Sequence, residues 1–194
     1  MTSSRLEAFS DGVIAIIITI MVLELKVPHD PTLAGLRPLV PIFLGYALSF
    51  LLVSIYWVNH HHLIHLVKKV EPKTMWFNLL LLFWLSLTPF ATEYMGASYA
   101  SSLSVALYGT VQSLCAVSYR LLAFQISSQC ERDDFMTAVF RRTTRKNRIA
   151  NLCSFLSVPL AFVSVPIALG LLVLPALMYF IPERELENIV KTGK

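Results

Sequence analysis

Charged residues are scarce in this sequence. Asp, Glu, Lys and Arg make up 14% of its 194 residues, where a soluble domain carries about 25%. Cysteine is scarce too. Cys115, Cys130 and Cys153 are odd in number and match no metal-ligand spacing, which argues against a disulfide scaffold. Two of them lie in apolar stretches, where a thiol acts as a small hydrophobe. There is no Walker loop, no dinucleotide fingerprint, no G-x-S-x-G and no T-V-G-Y-G filter. Without that filter, any ion selectivity has to come from something other than a carbonyl cage. Residues Met1 to Asp11 hold one Arg and two acids, so they lack the basic region that opens a cleaved signal peptide.

Apolar side chains are plentiful. They fill 56% of the chain, more than a soluble globule this small can hide from water. This composition excludes disorder and a typical soluble enzyme, and it indicates a membrane protein. Six apolar segments are visible, about 9–25, 38–65, 75–91, 99–127, 149–165 and 166–181. At about 20 residues each, six spans use roughly 120 residues and leave no room for a catalytic domain outside the bilayer. The expected fold is all-α: a single six-span transmembrane domain over 1–194, in contact with lipid. Pro28, Pro31, Pro72, Pro89, Pro166 and Pro182 fall at or near segment ends, where a missing N–H matters least. Pro159 and Pro175 lie inside segments five and six and predict bends. The last two segments require a tight turn near Ser164-Val165-Pro166.

Lys and Arg set the topology. With the N-terminus inside, thirteen fall inside: Arg5; Lys68, Lys69 and Lys73; Arg132, Arg141, Arg142, Arg145, Lys146 and Arg148; Arg184, Lys191 and Lys194. Only Lys26 and Arg37 fall outside, and Arg120 lies within span four. Both termini are therefore expected in the cytoplasm, with the protein in the cell membrane. The basic run at 141–148 reads as topology rather than as a nucleic-acid interface.

The first span is unusual. Its uncharged run, Gly12 to Leu23, has twelve residues, about 18 Å of helix against a roughly 30 Å hydrocarbon core. The helix has to continue through Asp11, Ser10 and Phe9, which carries a carboxyl to membrane depth. Such a group faces protein or water rather than lipid, unless it sits at the interface among snorkelling neighbours. On a helical wheel with Ile16 at zero, Ile20 falls at about +40°, Leu23 at about −20° and Thr19 at about −60°. Ser10 falls at about 120° and Asp11 at about 220°, on the other side. One face thus carries branched aliphatics and a hydroxyl, and the other a polar pair that needs partners. From periodicity alone the aliphatic stripe is lipid contact, core or pore lining.

Span two ends in Tyr56-Trp57-Val58-Asn59-His60-His61-His62-Leu63-Ile64-His65. Trp57, His60, His61 and Ile64 share a helix face. Three readings compete: metal catalysis, a proton relay, and hydrogen-bonded partnering. A membrane di-iron enzyme would need several separate His boxes, and four of the five His lie in this one stretch. No cofactor or structural metal is expected. Partnering is favoured, with His60 or His61 meeting Ser10 or Asp11 and Asn78 of span three joining them. Arg120, with Gln112 or Gln125, makes a second polar cluster. Trp57, Trp76, Trp84, Tyr94 and Tyr99 partly suit an interface belt.

The opening stretch Arg5-x-x-x-Phe9-Ser10-Asp11, followed by Gly12 and an aliphatic run, resembles the signature of the TMEM175 family of potassium channels. The resemblance extends to the six-span length and the Trp57-x-x-His60-His61 region. It implies that the first helix of each six-helix repeat lines a central pore. It also implies that a one-repeat chain assembles as a homotetramer and that K⁺ is the permeant ion. By position, Ile16 maps onto the family's hydrophobic constriction, with Ile20 and Leu23 further along. Thr19 maps onto a selectivity threonine. Arg5, Phe9, Ser10 and Asp11 carry over as an inter-helix network. Glu24, near the outer mouth, is suited to concentrate cations. Two other readings stand beside the channel. One is a proton-coupled transporter using Asp11 and the His60–His62 cluster, and the other is a purely structural membrane protein.

Overall fold

The computed structural model describes residues 2–67, 69–98, 101–129 and 134–180, with the side chains of 134–147 and 180 left aside. Lys68, Tyr99, Cys130, Arg132, Ile181, Pro182, Arg184, Lys191 and Lys194 lie outside the described residues, as do the side chains of Arg141, Arg142, Arg145 and Lys146. All regular structure among the described residues is helical.

Helix α1 runs Ser3–Leu23, with the Thr2 hydroxyl accepting the Arg5 N–H at its start. The Asp11 carboxyl lies well inside this helix, because α1 begins earlier than the expected residue 9 and carries Asp11 in its third turn. The one-turn α2 spans Leu33–Leu36, and α3 spans Leu39–Ile64 after Pro38. The third apolar segment is longer than 75–91 and is broken. Helices α4 (Pro72–Ser86) and α5 (Thr88–Ala97) meet at Leu87. The cause is Pro89, which has no N–H for the Leu85 carbonyl and crowds it with its ring. The ladder restarts where Ala91 N–H reaches the Leu87 carbonyl.

Helix α6 covers Ser102–Ser127 and α8 covers Val165–Phe180. Helix α7 covers Asp134–Ala161 and starts fifteen residues before the expected 149, so the basic run is helical. The turn into α8 falls at 162–164, closed by the Ser164 N–H on the Leu160 carbonyl at 2.7 Å. This is just before the expected Ser164-Val165-Pro166, because Pro166 fits the first turn of a helix better than a bend.

By length and composition, three stretches are able to cross a bilayer: Ser3–Leu23, Leu39–Ile64 and Pro72–Ala97. Arg148–Ala161 and Val165–Tyr179 are shorter apolar helices. Helix α6 is the hub and packs on α4, α5, α7 and α8. Its small residues permit close approach: a Cβ at Gly109 would run into the Ser157 hydroxyl of α7. A buried hydroxyl cluster joins three helices. Ser49 Oγ of α3 lies 2.7 Å from Thr92 Oγ1 of α5 and 2.9 Å from the Tyr108 hydroxyl of α6. Helix α1 lies against α3, α4 and α5.

Candidate functional site

Helix α1 divides into two faces. Leu6, Ser10, Ile14, Ile17 and Met21, spaced by three and four, are all buried. That spacing keeps one stripe of a 3.6-residue helix pointed inward. Opposite it, Ile16 is 59% exposed, Ile20 42% and Leu23 76%, and Thr19 is exposed beside them.

The buried face carries a polar chain through three helices. Ser10 Oγ donates to the Leu6 carbonyl at 2.8 Å and accepts from Asn78 Nδ2 at 2.9 Å. The Asn78 carbonyl oxygen lies 2.6 Å from His60 Nε2. Because the Asn78 amide nitrogen is committed to Ser10, its oxygen faces His60, and this assignment puts the imidazole proton on Nε2. Ser10, His60 and Asn78 are all fully buried. Asp11 points elsewhere: its carboxylate accepts from the Trp57 indole N–H at 2.9 Å.

The expected partners are therefore present but arranged differently. His60 reaches Ser10 through Asn78 rather than directly. His61 meets neither Ser10 nor Asp11; its Nδ1 lies 2.8 Å from Glu7 Oε1. The reason is rotational, since His60 and His61 are consecutive and so point about 100° apart on α3. His65 Nε2 lies 3.4 Å from the same Glu7 oxygen and 3.2 Å from His61 Nε2. Glu7 is a site residue that the apolar sequence pattern does not mark. Its signal was its place one turn before Asp11, opposite an i, i+4 His pair.

Arg5 and Phe9 stand exposed, and among the described residues the hydrogen bonds from the signature to other helices are those of Ser10 and Asp11. Among the described residues Arg120, Gln112 and Gln125 are not brought together. Arg120 is exposed, Gln125 Nε2 donates to Glu71 at 3.2 Å, and Gln112 faces a small cavity of about 40 Å³ with Tyr56 and Tyr119.

The C-terminal half of α1 borders an open cleft of about 400 Å³, lined by Val13, Ile16, Ile20, Phe90 and two carboxylates, Glu24 and Glu93. Glu93, on α5, is a second acid at that end that sequence spacing did not bring forward. The Thr19 hydroxyl donates to the Ile16 carbonyl at 2.9 Å. Its proton is thereby used within the helix, and its oxygen lone pairs remain for an outside group.

Apolar helices, hydrogen-bonded buried polar groups and an exposed aliphatic stripe define an integral membrane protein of the all-helical class. Residues 5–89 match the family described as endosomal/lysosomal potassium channel TMEM175. Over 191 residues the chain is 45% identical to a potassium channel of Chryseobacterium sp., covering 98% of this chain and 99% of that one. It is 36% identical over 187 residues to a potassium channel of Streptomyces collinus, covering 91% of each. It also superposes on the crystal structure of a lysosomal potassium-selective channel TMEM175 homolog from Chamaesiphon minutus. That match has a TM-score of 0.79 and 27% identity, and it covers 91% of this chain and 95% of the other. The chain belongs to the TMEM175 family. These relatives are ion channels by name, not enzymes.

Proposed function

We propose that this chain is one subunit of a homotetrameric, potassium-permeable channel in the cell membrane, with six spans and both termini cytoplasmic. The observation that carries the proposal is the outward stripe of α1. Exposed faces elsewhere, such as Val40, Phe43 and Leu44 on α3, are plain hydrocarbon suited to lipid. The α1 stripe instead includes the Thr19 hydroxyl and ends beside Glu24 and Glu93. Four copies of α1 around an axis would stack Ile16, Ile20 and Leu23 as aliphatic rings.

Narrow rings of this kind block by dewetting, because an ion would shed water with nothing to replace it. Slight widening admits a partly hydrated cation. Thr19 oxygens next to Ile16 supply sparse ligation, so discrimination between K⁺ and Na⁺ is modest. Glu24 at the outer end, joined by Glu93, raises the local cation concentration. The partnered face, with Ser10, Asp11, Trp57, His60 and Asn78, holds each pore helix at a fixed rotation. No cofactor takes part.

The geometry argues against a proton relay that joins Asp11 to His60. An amide separates Ser10 from His60, and an indole covers the Asp11 carboxylate. Neither an amide nor an indole passes protons as a chain of hydroxyls, carboxylates and imidazoles does. The test is a bilayer recording from purified protein in opposed K⁺ and Na⁺ gradients. A passive current whose reversal potential lies toward the K⁺ equilibrium value is expected. Saturable uptake that requires a proton gradient, without passive current, would overturn the channel.

A further inference from the structure

We propose that Glu7, His61 and His65 form a binding site for a divalent transition-metal ion of the zinc type, at the end of α1 that precedes Ser10 and Asp11. His61 and His65 are four residues apart at the last turn of α3. This is the spacing that puts two imidazoles on one helix face as metal ligands. Their rings lie 4.3 Å apart, edge to face. Glu7 of α1 supplies the third donor from across the helix pair. Its Oε1 lies 2.8 Å from His61 Nδ1 and 3.4 Å from His65 Nε2, and the three donor atoms fall within 4.8 Å of one another.

The donor set fits the ion. Two imidazoles and a carboxylate are a known zinc set with one coordination position open. Zinc–ligand bonds of about 2.0–2.1 Å give a tetrahedron with edges of about 3.3 Å, and the Glu7 oxygen stands 2.8 Å and 3.4 Å from one nitrogen of each ring. The ligands are also accessible, with side chains 43% exposed for His61, 58% for His65 and 18% for Glu7. The ion would tie α1 to α3 one turn from the Asp11–Trp57 bond. An effect on ion flow would rest on the channel reading, but binding itself does not.

Calorimetric titration of the full-length chain in detergent with zinc chloride, any histidine tag removed, tests the site. Saturable uptake of one ion per chain is expected. His65→Ala and Glu7→Gln should each weaken it by at least about tenfold, while His29→Ala and His62→Ala bind as the native chain does. Each variant is first checked for an unchanged gel-filtration volume. His65 is the most exposed ligand, so its variant tolerates the change and keeps the test decisive. Absence of saturable binding, or loss of binding that follows His29 or His62 instead, overturns the site. Because the readout is heat of binding, a chain that carries no current can still pass, and a channel can still fail.

Discussion

Ile14 and Ile16 sit two positions apart on α1, yet Ile14 is 1% exposed and Ile16 is 59% exposed. The same side chain serves opposite purposes on the two faces of one helix. On the Ile14 face the polar groups are linked inside the chain, Ser10 to Asn78 and Asn78 to His60 Nε2, while His60 Nδ1 has no partner among the described residues. On the Ile16 face nothing among the described residues completes the surface. A membrane protein can leave an aliphatic face to lipid at no cost, because lipid tails are as apolar as leucine. It cannot leave a buried amide or imidazole unpartnered so cheaply. The inner face therefore carries stability, and the outer face is free to carry function.

The largest effects should come from breaking that division on its buried side. Asn78→Leu keeps roughly the volume but strips Ser10 and His60 of their shared partner. Leaving buried polar groups unsatisfied should cost about 2–4 kcal/mol in total. A much lower melting temperature in detergent, with loss of a single gel-filtration peak, is expected. Unchanged melting would mean that the polar chain does not stabilise the fold. The exposed side should respond in the opposite way. Ile16→Asn should leave melting unaltered and raise K⁺ efflux from liposomes about tenfold, equivalent to about 1.4 kcal/mol off the dewetting barrier. Equal efflux from both proteins would remove Ile16 from the constriction.

Much of this division was legible in the residues themselves. Twelve uncharged positions are too few to cross a bilayer, which forces Ser10 and Asp11 into the helix. A period of 3.6 then separates them from Ile16, Ile20 and Leu23. What could not be read was the rotation of α3 against α1. His60 and His61 are adjacent, and only packing decides which turns toward Asn78 and which toward Glu7. Glu7 lies before the apolar run that begins at Phe9, and its importance comes from His61 and His65 on a neighbouring helix. The early start of α7 was missed for a related reason. Hydropathy finds where a helix enters lipid, and the basic run of α7 is helical outside that apolar segment. Pro89 looked like a segment end because a proline that closes one helix also suits the first turn of the next.

A smaller effect probes the boundary between the faces. Trp57 is 44% exposed, and its indole N–H is its link to Asp11. Water competes for both groups, so Trp57→Phe should lower stability by only about 1 kcal/mol. A shift in melting of a few degrees, clearly less than that of Asn78→Leu, is the expected result. A loss as large as that of Asn78→Leu would place Asp11 within the buried network rather than at its edge.

The finest test concerns one oxygen on the open face. Thr19 donates its proton to the Ile16 carbonyl, so in the channel its lone pairs are what a passing cation would meet. Thr19→Val replaces that oxygen with a methyl of similar size and leaves the aliphatic rings in place. Flux should persist, since the rings set the barrier. The K⁺ to Na⁺ permeability ratio should fall by about threefold, a difference of about 0.6 kcal/mol. That is the scale expected when one weak ligand per chain is lost from a site that ions cross largely hydrated. Reversal potentials under bi-ionic conditions measure it directly. An unaltered ratio would assign selectivity to the width of the Ile16 ring alone, and Thr19 would then serve only to hold its own helix turn.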